Sequence, residues 1–142
     1  MLARVLFPVT LICAALALAM IAPTANTFTV TNSGLTAYVI NGTNNPMLNL
    51  TRGQTYVFQV SAAGHPFWLK SVRSTGTGNA FNTGVTNNGS ESGSVTFVVP
   101  QSAPATLFYD CEFHSAMTGQ INVSDPTPVL ETTWGRMKAL FR

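Results

Sequence analysis

At 142 residues the chain has room for one domain of ordinary size around a single core. Only 8% of its residues are charged, while Thr, Asn, Ser and Gly are abundant, a balance that favours an all-β exported domain over a helical cytosolic one. The formal charge of +2 comes from the two ends: between Asn26 and Asp125 the basic residues Arg52, Lys70 and Arg73 face Glu91, Asp110, Glu112 and Asp125, so no basic stripe runs along the chain for nucleic acid to follow.

Residues 1–25 read as an export signal. Arg4 gives a positive start, and an apolar run from Val9 to Ala22 follows Pro8. Small residues at Ala17, Ala19, Ala22 and Ala25 offer several cleavage points, and the expected mature start lies near Asn26. An uncleaved anchor is the alternative, but the run is short of the about 20 residues that a spanning helix needs. Cys13 falls within the leader, behind Ile12 rather than a small residue, which argues against lipid attachment. Its removal leaves Cys111 as the one cysteine of the mature chain. A thiol that cannot pair internally in an oxidising compartment calls for another employment, and metal ligation supplies one.

After the leader, Phe28 and Val30 alternate with Thr27, Thr29 and Thr31, the period of a half-buried strand, broken at Asn32-Ser33-Gly34. A second strand is expected over Thr36–Ile40, ended by the turn cluster at 41–46, and a third over Met47–Leu50. From Gln54 to Val60, Tyr56, Phe58 and Val60 share one face. His65, Phe67 and Leu69 then point to one side and Trp68 to the other. The stretch from Ser71 to Ser92, rich in Gly, Asn, Thr and Ser with Phe81 and Val85 as anchors, reads as a surface excursion. Val95, Phe97 and Val99 restore strict alternation. After a corner between Pro100 and Pro104, strands are expected at Ala105–Asp110 and Gly119–Val123. About seven or eight strands with turns between them, and no helix before the tail, describe an all-β antiparallel Greek-key sandwich or barrel. The expected domain is 26–125; 126–142 form a linker with Pro126 and Pro128 and a short basic amphipathic tail carrying Trp134, Met137, Leu140 and Phe141.

The chemistry concentrates in LFYDCEFHSAMTGQINV, residues 107–123, where Cys111, His114 and Met117 recur at intervals of three beside a strand. A soft thiolate, an imidazole and a weak thioether select copper over hard cations. A second imidazole would complete the set, and His65 is the only other histidine in the chain. Zinc is disfavoured, because structural zinc takes four strong ligands and Met is a poor one. Two histidines are too few for a multicopper cluster.

The pattern Tyr109-x-Cys111-x-x-His114-x-x-Met117-x-Gly119, with His65 lying 46 residues before Cys111, resembles the cupredoxin family of small blue copper proteins. The loop spacing is most similar to the amicyanin branch, and plastocyanins are similar with a longer gap before Met. The resemblance covers residues 26–124. It implies that His65, Cys111 and His114 form a trigonal ligand set with Met117 as the long axial contact. It also implies that one copper ion per chain cycles between Cu(I) and Cu(II), since such a set suits both states. Two features depart from the family pattern. Many members follow the first histidine with Asn, which helps to hold the ligand loop, whereas here Pro66 follows and has no backbone N–H to donate. Asp110 and Glu112 flank Cys111, and alternation directs their side chains away from the thiolate.

The expected function is that of an exported type 1 copper protein, periplasmic or extracellular, carrying single electrons between larger redox partners without substrate turnover. A monomer with transient protein partners is expected, docking through a small apolar patch of Phe113, Ala116 and Pro66 around His114, with Glu112 steering a basic partner. The tail could add a weak contact with an anionic membrane surface. Readings from another class are a copper storage or sensing module and a cupredoxin-shaped adhesion domain. The sequons at Asn41, Asn49, Asn88 and Asn122 would fit a glycosylated secreted surface.

Overall fold

The computed structural model describes residues 26–128. The leader read over 1–25 and the tail from residue 129 onward lie outside the described residues. The strands are β1 (Asn26–Ser33), β2 (Ala37–Ile40), β3 (Thr43–Asn44), β4 (Leu48–Thr51), β5 (Thr55–Ser61), β6 (Phe67–Lys70), β7 (Val85–Thr86), β8 (Ser92–Val98), β9 (Thr106–Cys111) and β10 (Thr118–Ser124). They form two sheets, in the order β3-β2-β1-β5-β8-β7 and β4-β10-β9-β6. The core lies between them, built from the inward residues that alternation predicts. Val30, Tyr56, Phe58, Val60, Val95 and Phe97 come from the first sheet, with Val99 just past β8, and Phe67, Leu69, Leu107, Tyr109 and Ile121 from the second.

The all-β sandwich follows the sequence reading, and its sheets are mixed. β1 pairs with β5 in parallel, and so does β10 with β4. Parallel neighbours need a crossover between the sheets, and that connection is invisible to an alternation argument confined to one strand. Two of the ten strands, β3 and β7, are only two residues long and fall where the sequence shows turn residues or irregular chain.

Three features of this frame position the ligand loop. β6 pairs antiparallel with β9 in a register that sets Phe67 opposite Cys111, which carries His65, two residues before Phe67, to the end of the sandwich where the loop begins. β9 and β10 pair from Asp110 opposite Thr118 to Thr106 opposite Asn122, so the segment between them is the hairpin connection that carries His114 and Met117. At the root of that hairpin Gly119 lies under the ring of Tyr109, where a Cβ would occupy the space of the phenol. Tyr109 is thereby free to reach across and donate its hydroxyl to Pro46 O at 2.7 Å.

In the expected excursion at 71–92, Arg73 and Ser74 lie over the outer face of the second sheet, Phe81, Gly89 and Ser90 bond to the edge of β6, and β7 joins the first sheet. Phe81 and Val85 pack against the core as its anchors. Gly89, at φ +84°, lies against the Trp68 ring, and no side chain could be added there without meeting the indole. After β10 the chain runs on exposed through residues 125–128, with Asp125 held to Arg52 at 2.9 Å.

Candidate metal centre

The loop between β9 and β10 closes on itself before it presents any side chain. Met117 N donates to His114 O and Cys111 N to Met117 O, both at 3.0 Å, so residues 111–117 form a tight turn with its ends hydrogen-bonded together. Spacing by three residues on such a turn brings side chains to one side. The structure brings Cys111 and His114 together with His65: the two imidazole Nδ1 atoms are 3.1 Å apart, and Cys111 Sγ lies 3.5 Å from His114 Nδ1 and 3.8 Å from His65 Nδ1. Cys111 is a free thiol, wholly buried; His65 is buried and His114 half-exposed. Met117 is on the same turn and completely buried.

Three heteroatom donors lie within 4.8 Å of one another, two of them on a turn tied by its own backbone, an arrangement that could hold a metal ion. Core histidines normally spend their ring nitrogens on carbonyls or hydroxyls. Here the nearest polar neighbours of both Nδ1 atoms are each other and a thiol. One soft sulfur and two imidazoles suit copper and zinc alike, and a buried thioether on the same turn favours copper. The residues present therefore fit the ion that the loop sequence implies.

Two residues not singled out in the sequence hold this arrangement. Tyr38, fully buried on β2, directs its hydroxyl at His65 O and Pro66 O, both at 2.9 Å. Burial, with negative charge at Cys111 adding to it, pushes its pKa well above the usual tyrosine range and keeps it a donor. Asn45, at φ +43°, accepts from Tyr38 N at 2.9 Å and donates through Nδ2 to Ala116 O, also at 2.9 Å. The ligand turn is thus anchored from the first sheet by an asparagine that follows β3. The position after His65 is Pro66, whose carbonyl accepts from Tyr38 and from Glu112 N instead. Asn45 stands in the turn cluster NGTNNP, and its Asn-Pro pair signals a turn but not a long-range contact.

The flanking acids part company. Asp110 lies on the outer face of β9, as alternation requires, but the excursion covers it and leaves it only 3% exposed. Its Oδ2 accepts from Ser74 N at 3.1 Å and its Oδ1 from the Thr118 hydroxyl, so it spans the root of the ligand hairpin and ties the excursion to it. Lys70, also fully buried, donates to Ser74 O at 2.7 Å and to Gly76 O. Desolvation lowers its pKa, with Asp110 the chief opposing influence. Glu112 accepts from Trp68 Nε1 at 3.2 Å. In the expected apolar patch, Phe113 is 59% exposed and Ala116 is also exposed, but Pro66 is buried beneath the Tyr38 hydroxyl and takes no part in it.

No protein-family model matches the chain, and no curated protein matches it significantly. Comparison with solved structures finds rusticyanins. A rusticyanin variant is similar with a TM-score of 0.52 at 16% identity, over 72% of this chain and 79% of that one. Reduced rusticyanin gives 0.50 at 19% identity, over 72% and 81%. A further rusticyanin structure, described as that of a copper protein, gives 0.50 at 17% identity, over 72% and 80%. None of these is an amicyanin or a plastocyanin, so the branch suggested by the loop spacing rests on sequence alone. With two packed sheets in this order and these structural neighbours, the described residues have the cupredoxin fold.

Proposed function

We propose that the chain is an exported type 1 copper protein that carries single electrons between protein redox partners, with His65, Cys111, His114 and Met117 holding one copper ion. The observation that carries the reading is the convergence of both histidine Nδ1 atoms on the Cys111 sulfur. A bound copper ion supplies the one-electron couple. The protein's part is to hold the donors still. Tyr38 fixes the backbone at His65 and Pro66, Asn45 fixes the turn at Ala116, and Asp110 joins Cys111 to the strand that leaves the turn. A donor set that does not move between oxidation states keeps the reorganisation on electron transfer small. Burial of Cys111 also keeps the thiol from bulk oxidants.

The half-exposed His114, beside exposed Phe113 and Ala116, is the route by which an electron would leave, through a small transient contact. No substrate turnover and a monomeric state belong to this reading. Export rests on the leader sequence at 1–25.

Adding Cu(II) to the purified protein should produce an intense visible band from thiolate-to-copper charge transfer, and Cys111→Ala should abolish it. No band, together with undiminished copper binding by Cys111→Ala, would refute the reading. Reversible electrochemical cycling distinguishes a carrier from a storage module, which would bind Cu(I) tightly without cycling.

A further inference from the structure

Next to the donor set lies a cavity that electron transfer leaves unused. Its volume is about 190 Å³, and it opens between the excursion and the ligand turn, lined by Arg73, Thr75 and Ser115 with Asp110, Cys111 and His114 completing the wall. Arg73 stands over the Phe108 ring, its guanidinium carbon 5.2 Å from the ring centre. That contact occupies a face of the guanidinium and leaves the N–H fork at its edge. Among the described residues Arg73 has no acidic partner; the one ion pair joins Arg52 to Asp125. Thr75 and Ser115 are exposed.

The acid in the wall does not compete for the arginine. Both Asp110 oxygens already accept hydrogen bonds, from Ser74 N and the Thr118 hydroxyl. Lys70 lies behind Ser74 and donates to its carbonyl. Among the lining residues Arg73 is the one cation and Asp110 the one carboxylate, so Arg73 is the group that would draw an anion. A planar fork and hydroxyl donors about a small hollow match an oxyanion, which takes parallel N–H bonds from arginine and single bonds from hydroxyls.

We propose that this cavity binds a small free inorganic oxyanion of phosphate or sulfate size, held by Arg73 with Thr75 and Ser115. Binding itself needs no metal. Its consequence rests on the electron-carrier reading, because an anion against the wall formed by Cys111 and His114 favours the more positive, oxidised centre. Tenfold tighter binding to the oxidised form would lower the reduction potential by about 59 mV.

Titrating inorganic phosphate into the metal-free protein, at ionic strength held constant with sodium chloride, tests the site through backbone amide NMR shifts. Saturable shifts confined to residues 73–75 and 114–115, lost in Arg73→Gln and weakened but still present in Arg73→Lys, which keeps the charge and loses the fork, are the expected result. Shifts that never saturate, spread over the surface or persist unchanged in Arg73→Gln would overturn the proposal. The same titration of copper-loaded protein should lower the potential in the parent and not in Arg73→Gln; a potential indifferent to phosphate would overturn the coupling. Saturable amide shifts in a protein that forms no charge-transfer band would leave the anion site standing and refute the electron-carrier reading instead.

Discussion

Replacing Asp110 by Asn tests whether the charges buried under the excursion act as one unit. The substitution keeps the shape and one acceptor, so Ser74 N can still be bonded, and the Thr118 hydroxyl can turn to accept from the new amide. What disappears is the negative charge, leaving the fully buried Lys70 ammonium bonded to neutral acceptors, the Ser74 and Gly76 carbonyls and the Ser74 hydroxyl. A hydrogen bond to a charged group contributes about 1.5–3 kcal/mol, and removing one member of a buried charged pair costs about 3–5 kcal/mol. Lys70 and Asp110 meet through the Ser74 backbone rather than in direct contact, so a loss of about 2–3 kcal/mol is expected for Asp110→Asn. Lys70→Met should cost about as much, since it strips donors from Ser74 O and Gly76 O and leaves Asp110 without its countercharge. The double variant should lose less than the two single losses combined, by about 1–2 kcal/mol. Urea unfolding followed by far-UV circular dichroism gives each value; with a slope of about 1.5 kcal/mol/M, the Asp110→Asn midpoint falls by about 1.3–2 M. Single losses below about 0.5 kcal/mol, the range of surface substitutions, or strictly additive losses would refute the coupling.

The site's other supports yield further expectations. Gly119→Ala places a methyl group in the space of the Tyr109 ring, which cannot swing away because it is buried, bonded to Pro46 O and packed on Phe67 with ring centres 5.5 Å apart. Overpacking of this kind costs about 1–3 kcal/mol and should lower Tm by about 10 °C, whereas a change of under about 2 °C would show that the hairpin root yields. Tyr38→Phe leaves His65 O without its donor and Pro66 O with Glu112 N alone, at a cost of about 1–3 kcal/mol, and frees the His65 segment. Faster copper release and a displaced charge-transfer band should accompany the lost stability; unaltered copper kinetics in a destabilised variant would give Tyr38 a packing role only.

The strands and the ligand loop are legible from local sequence because both depend on short intervals. Alternation every second residue puts Phe58, Val60, Phe67, Leu69, Val95 and Phe97 inward whatever the rest of the chain does, and all are buried. Intervals of three bring Cys111, His114 and Met117 onto a single turn, and the scarcity of histidine singles out His65. What only the tertiary structure decides is which surfaces are covered and which distant groups meet. Alternation sends Asp110 and Lys70 to the outer face of the second sheet, where solvent would be expected, yet the excursion closes over both and makes them interior. It likewise leaves unstated that Pro66 is buried, that Tyr38 reaches its carbonyl across the core, and that Asn45 spans 71 positions to hold Ala116. The parallel pairings of β1 with β5 and of β4 with β10 belong with these. The physical reason is common to all of them: a residue's own periodicity determines the face it occupies, whereas the neighbour that covers that face is supplied by chain far away, through a register that no local pattern contains.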